Sequence, residues 1–119
     1  MELIDSNHFA IPLQNSKGEK TTSAIDVKGF SQICVAAKVD QTCDITLEVK
    51  AHFDPQLSER GIVIEHPPVI GRAVDGTGQA VVICPSLANP ILIRVEVSSV
   101  PSSGSAGVDW AVWGNKRQV

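Results

Sequence analysis

The sequence predicts an all-β chain, an antiparallel sandwich of about eight strands wound as a jelly roll or an immunoglobulin-like fold. The prediction rests on strict apolar/polar alternation, on the lack of helical spacing, and on turn residues recurring at short intervals. Ile33-Val35-Ala37-Val39 alternates with Gln32-Cys34-Ala36-Lys38, and Ile45-Leu47-Val49-Ala51-Phe53 with Asp44-Thr46-Glu48-Lys50-His52. Ile91-Ile93-Val95-Val97 alternates in the same way with Leu92-Arg94-Glu96-Ser98. Each stretch reads as a strand with one buried and one wet face, the pattern of antiparallel sheets. No long stretch spaces its apolar residues three and four apart.

In chain order, the expected strands are His8–Leu13, Thr21–Val27, Ser31–Val39, Cys43–Phe53, Gly61–His66, Gln79–Cys84, Ile91–Ser99 and Val108–Trp113. Lys17-Gly18-Glu19 and Lys28-Gly29 interrupt the N-terminal strands. Met1–Lys20 is polar in its second half and reads as an edge strand or as an arm that orders on a neighbour, leaving residues 21–119 as one sandwich domain. Asp40-Gln41-Thr42 is expected to close a hairpin that pairs Val39 with Cys43 and sets Cys34 opposite Glu48. Pro55–Arg60 is the one candidate helical turn, with Asp54 as its cap. Pro67-Pro68 ends a strand, because neither proline donates to a ladder. Asp75-Gly76-Thr77-Gly78 is a strong turn signal, Pro85 and Pro90 bracket a loop, and Ser102–Gly107 reads as a flexible connection.

Composition narrows the function. The chain has 119 residues, enough for one domain, with 43% hydrophobic and 19% charged residues. A net charge of −3, with Lys116-Arg117 the one basic cluster, argues against bulk neutralisation of phosphates, so no nucleic-acid partner is expected. Apolar runs such as Ala80–Cys84 are far below membrane-spanning length, and Met1–Asp5 lacks the basic and apolar regions of a signal peptide. Synthesis in a cytoplasm with no membrane role is therefore expected.

The three cysteines, an odd number, argue against a disulfide framework. The hairpin register places Cys34 and Cys43 on opposite faces, too far apart to bond. Cys34, Cys43 and Cys84 read as small buried hydrophobes.

Catalytic and cofactor chemistry finds no foothold. His8, His52 and His66 lie on separate strands, and no pair has ligand spacing. No serine sits in a Gly-x-Ser-x-Gly turn, and Gly76-Thr77-Gly78 lacks the lysine of a phosphate cradle. Asp40 and Asp44 flank one turn and read as a solvated end rather than a calcium site. No enzyme activity and no cofactor are expected.

The tryptophans and the apolar surplus say more. Alternation puts Trp110 with Val108 and Val112, in the core with Ile45, Leu47, Val49, Ile93 and Val95, whereas Trp113 shares the opposite face with Asp109 and Ala111. Val81 and Ile83 make their strand apolar on both faces, and Leu92 stands on a polar one. Trp113, Leu92, Val81 and Ile83 are accordingly candidate interface residues. A sugar site centred on Trp113 and the Ser102–Gly107 loop is the alternative.

Gly29–Val35, the expected hairpin into Ile45–Asp54, then Ile91–Val97 and a closing strand with tryptophan follow a recurring order. Over residues 21–114 this order resembles the small β-sandwich structural proteins of tailed-phage virions: decoration, cement and fibre-associated modules. The chain departs from that pattern after Asp54, where Pro55-Gln56-Leu57 replaces an Asp-Gly turn and tryptophan. The resemblance implies a structural virion protein that binds the major capsid or another shell protein. Together with the apolar surplus it implies a homo-oligomer, with a trimer the expected form. The alternative is a module that binds glycans or a host surface.

Overall fold

The computed structural model describes residues 1–51, 67–86 and 89–116. The expected strand Gly61–His66, the candidate turn Pro55–Arg60, His52, His66 and Arg117 lie outside those residues. The described residues form eight strands: β1 (Glu2–Pro12), β2 (Gly18–Thr21), β3 (Phe30–Val39), β4 (Asp44–Ala51), β5 (Val69–Ala73), β6 (Gln79–Pro85), β7 (Ile91–Ser98) and β8 (Ser105–Lys116). They form two four-stranded sheets of order β1-β8-β3-β6 and β2-β7-β4-β5. All pairs between named strands are antiparallel. First pairs with last, second with seventh, third with sixth and fourth with fifth. That nesting is a doubled ribbon folded over on itself, so the winding is that of a jelly roll.

Alternation decides which side chains enter the sandwich. Ile33, Val35, Ala37 and Val39 of β3 meet Ile45, Leu47 and Val49 of β4 and Ile91, Ile93, Val95 and Val97 of β7, all buried. Val108, Trp110 and Val112 of β8 complete this interior, which holds no buried polar or charged residue among those described. The six residues assigned to the core from alternation, Trp110, Ile45, Leu47, Val49, Ile93 and Val95, are all buried.

The hairpin expected at Asp40–Thr42 does not form: β3 and β4 belong to different sheets. The crossing segment satisfies its backbone elsewhere. The Val39 amide donates to the Gly78 carbonyl (2.8 Å), the Asp40 amide to the Gly107 carbonyl (2.9 Å), and the Gly78 amide to the Cys43 carbonyl (3.1 Å). Gly78 takes a positive φ of 67°, and a Cβ there would stand 2.7 Å from the Gln41 carbonyl oxygen. Only glycine fits that approach. A tight turn at Asn15 and Ser16, both at positive φ, leads from β1 toward β2.

Several boundaries move. β1 begins at Glu2 rather than His8, and the second strand is Gly18–Thr21 rather than Thr21–Val27, so Gly18 and Glu19 lie in a strand rather than at a break, and Ile25 keeps only an isolated bridge to Ile91. β5 begins directly after Pro67-Pro68, where the sequence reads as a stop; the prolines precede the ladder and disturb none of it. Ser105-Ala106-Gly107, read as flexible loop, is strand, opposite Pro12, Ile11 and Ala10. Gln41 and Asp40 pin it there: Gln41 Nε2 donates to the Ser105 carbonyl (3.2 Å), and the Gly107 amide donates to Asp40 Oδ1 (3.1 Å).

Candidate functional site

The two outer faces differ in chemistry. On the β2-β7-β4-β5 sheet Arg94 is held among three glutamates, with Glu48 at 3.3 Å, Glu96 at 2.9 Å and Glu19 also paired to it. Arg72 Nε donates to Thr46 Oγ1 at 3.3 Å. These ion pairs take up much of this surface, with Arg94 and Glu48 half-buried in them, and Leu92 lies half-buried on it opposite Lys50.

On the β1-β8-β3-β6 sheet the register lines side chains into rows across all four strands. One row is Leu3, Trp113, Cys34 and Ile83; the next is Ser6, Ala111, Ala36 and Val81; the third is His8, Asp109, Lys38 and Gln79. The middle row carries small side chains on its first three strands, so the rows on either side stand above it as walls. The result is an open trough of about 640 Å³. Its floor is Ser6, Ala36, Ala111 and Val81, one wall holds the Trp113 indole, and the other is the polar third row. The two walls are four residues apart along β8, β3 and β6, roughly 13 Å between Cα atoms, and five along β1, which carries a bulge between Leu3 and Asp5.

Three of the four candidate interface residues, Trp113, Val81 and Ile83, are thus brought onto one face, and Leu92 is left on the other. Val81 is 59% exposed, Ile83 61% and Leu3 55%. Trp113 is half-buried, and Cys34 is half-buried on this same outer face rather than in the core, because its position on β3 falls in the outward phase. Cys43 and Cys84 are buried, none of the three is bridged, and burial raises the thiol pKa of both Cys43 and Cys84. The expected sugar site does not hold together as drawn. Ser105 and Trp113 lie at opposite ends of β8, eight positions or roughly 27 Å apart.

On the polar wall His8 Nδ1 and Asp109 Oδ1 are 2.8 Å apart. Lys38 has no ion pair among the described residues, and Gln79 stands beside it on β6. Among the described residues no three His, Cys, Asp or Glu side chains converge as metal ligands. No described helix is long and apolar enough to cross a membrane.

No family model matches the chain, and no curated protein matches it. Among solved structures it is similar to TmCBM61, determined in complex with beta-1,4-galactotriose. The match covers 91% of this chain and 69% of the other, at 11% identity and a TM-score of 0.45.

Sequence reasoning missed Ser6, Ala36, Ala111 and Lys38. Their outward phase was visible in the alternation. Their convergence depends on strand order, which alternation does not encode.

Proposed function

We propose that the protein is a non-catalytic binding module that takes a saccharide in the trough of the β1-β8-β3-β6 sheet. The observation that carries this reading is the trough itself: an indole on one wall, a floor of small side chains, and four polar side chains facing the indole. A pyranose ring has an apolar C–H face and a hydroxyl-bearing edge, so it matches an aromatic platform opposed by hydrogen-bonding groups. Size favours the same reading. The apolar rows span three strand spacings by two residue steps, roughly 14 by 7 Å between Cα atoms. A stable protein interface needs about 800 Å² from each partner.

A structural role in a viral particle, with the chain binding a shell protein and itself as a trimer, is the second reading. Val81 and Ile83, exposed side by side on edge strand β6, support it. Glycan-array binding and light scattering on wild type, Trp113→Ala and Ile83→Lys separate the two. The saccharide reading expects array binding that Trp113→Ala abolishes, with unchanged mass in all three proteins. No array binding, together with an oligomer that Ile83→Lys dissociates, would overturn the saccharide reading and favour the structural one.

A further inference from the structure

We propose that the trough selects saccharides carrying a carboxylate, and that Lys38 makes the selection. This rests on the saccharide reading of the same site.

The polar wall is divided. At its β1 end Asp109 is turned toward His8, with Nδ1 and Oδ1 2.8 Å apart. Asp109 is also the cross-strand neighbour of Lys38, yet no carboxylate among the described residues lies within ion-pairing distance of the Lys38 ammonium. Lys38 is therefore an uncompensated cation at the rim, and Gln79 next to it on β6 offers amide donors. Val81 and Ala36 form the adjoining floor.

Distance fits one ring. Trp113 and Lys38 lie on neighbouring strands four residues apart along them, roughly 14 Å between Cα atoms. Both residues line the trough, and their side chains take up part of that span, which leaves room for about one sugar ring. A ring stacked on Trp113 then presents an acidic substituent to Lys38 and Gln79. It stays about one to two strand spacings from the Asp109 carboxylate. A charge-assisted hydrogen bond is roughly twice as strong as a neutral one, so the acid binds in preference to its uncharged counterpart.

The test is isothermal titration of the full chain with tetrasaccharides of galacturonate, glucuronate and mannuronate and with sialyllactose, each beside its methyl ester. The ester removes the charge and keeps the ring. Wild type is expected to bind at least one acid about tenfold tighter than its ester, a difference of roughly 1.4 kcal/mol. In Lys38→Met that preference disappears, and in wild type it narrows as salt is raised. Equal affinity for acid and ester in wild type, or a preference that survives Lys38→Met, overturns the charge selection and leaves the saccharide reading standing. Failure to bind any acid, ester or neutral oligosaccharide, with unchanged tryptophan fluorescence, overturns both. Lys38 is exposed, so thermal melts of Lys38→Met are expected to match wild type and rule out misfolding as the cause.

Discussion

Replacing each tryptophan in turn tests the register that builds the trough. Trp110 is 7% exposed, inward-facing between Val108 and Val112, and opposite Ala37 on β3 and Asn7 on β1. A buried tryptophan removes up to about 250 Å² from water, and truncation to alanine forfeits most of it. At about 25 cal/mol per Å² that is roughly 4–5 kcal/mol, in line with the ~3–5 kcal/mol such truncations cost. A domain of this length has a total stability of roughly 6–18 kcal/mol, so Trp110→Ala removes a large part of it. At about 3–6 °C per kcal/mol, the melting temperature falls by roughly 10–30 °C. Trp113 packs on the outer face with one side in solvent, and Trp113→Ala is expected to cost about 1 kcal/mol or less. Urea titration followed by circular dichroism measures both losses. Each mutant also keeps a single indole, so acrylamide should quench the one left in Trp110→Ala (Trp113) more strongly than the one left in Trp113→Ala (Trp110). Equal costs, or a larger cost for Trp113→Ala, would falsify the phase of β8 and with it the trough.

Three further outcomes are expected. Alkylation without reductant should find all three thiols free, with Cys34 labelled first, since Cys43 and Cys84 are buried and have raised pKa values. The same shifts fix a sign: as pH rises past the ordinary thiol range the unfolded chain loses these protons first, so stability should fall there in urea titrations; a rise would contradict the burial. Gly71→Ala places a Cβ 2.7 Å from Val82 Cγ2 and 3.0 Å from the Val81 carbonyl oxygen, where β5 crosses close to β6, and should cost about 1–3 kcal/mol in a melt. Arg94→Met leaves Glu19, Glu48 and Glu96 facing one another, and should cost about 1–2 kcal/mol at low salt and measurably less at high salt; a loss independent of salt would point to packing instead.

The inward phase of β3, β4, β7 and β8 was legible because burial on one face imposes period two, and Ile33, Leu47, Val95 and Trp110 fall in that phase. Pairing was not legible. β3 and β4 are consecutive and separated by a turn-like Asp40-Gln41-Thr42, yet each finds its partners in a different sheet. What separates them is the hydrogen bonding of Val39, Asp40 and Cys43 to the distant Gly78 and Gly107. Ser105–Gly107 has loop composition, and its strand geometry comes from β1 and from Asp40. At the site, Trp113, Val81 and Ile83 stood out as apolar residues in an outward phase. Lys38 and the small residues of the floor looked like ordinary surface, because a trough across four strands exists only once β1, β8, β3 and β6 lie side by side.

Amide chemical-shift mapping during titration with acidic and neutral oligosaccharides tests the central claim most directly. Binding in the trough predicts perturbations at the Trp113 indole N–H and at the amides of Ser6, Ala36, Lys38, Val81 and Ala111, with the β2-β7-β4-β5 face unchanged. Shifts centred on Leu92 and Arg94, or none at saturating concentrations of every oligosaccharide, would contradict it.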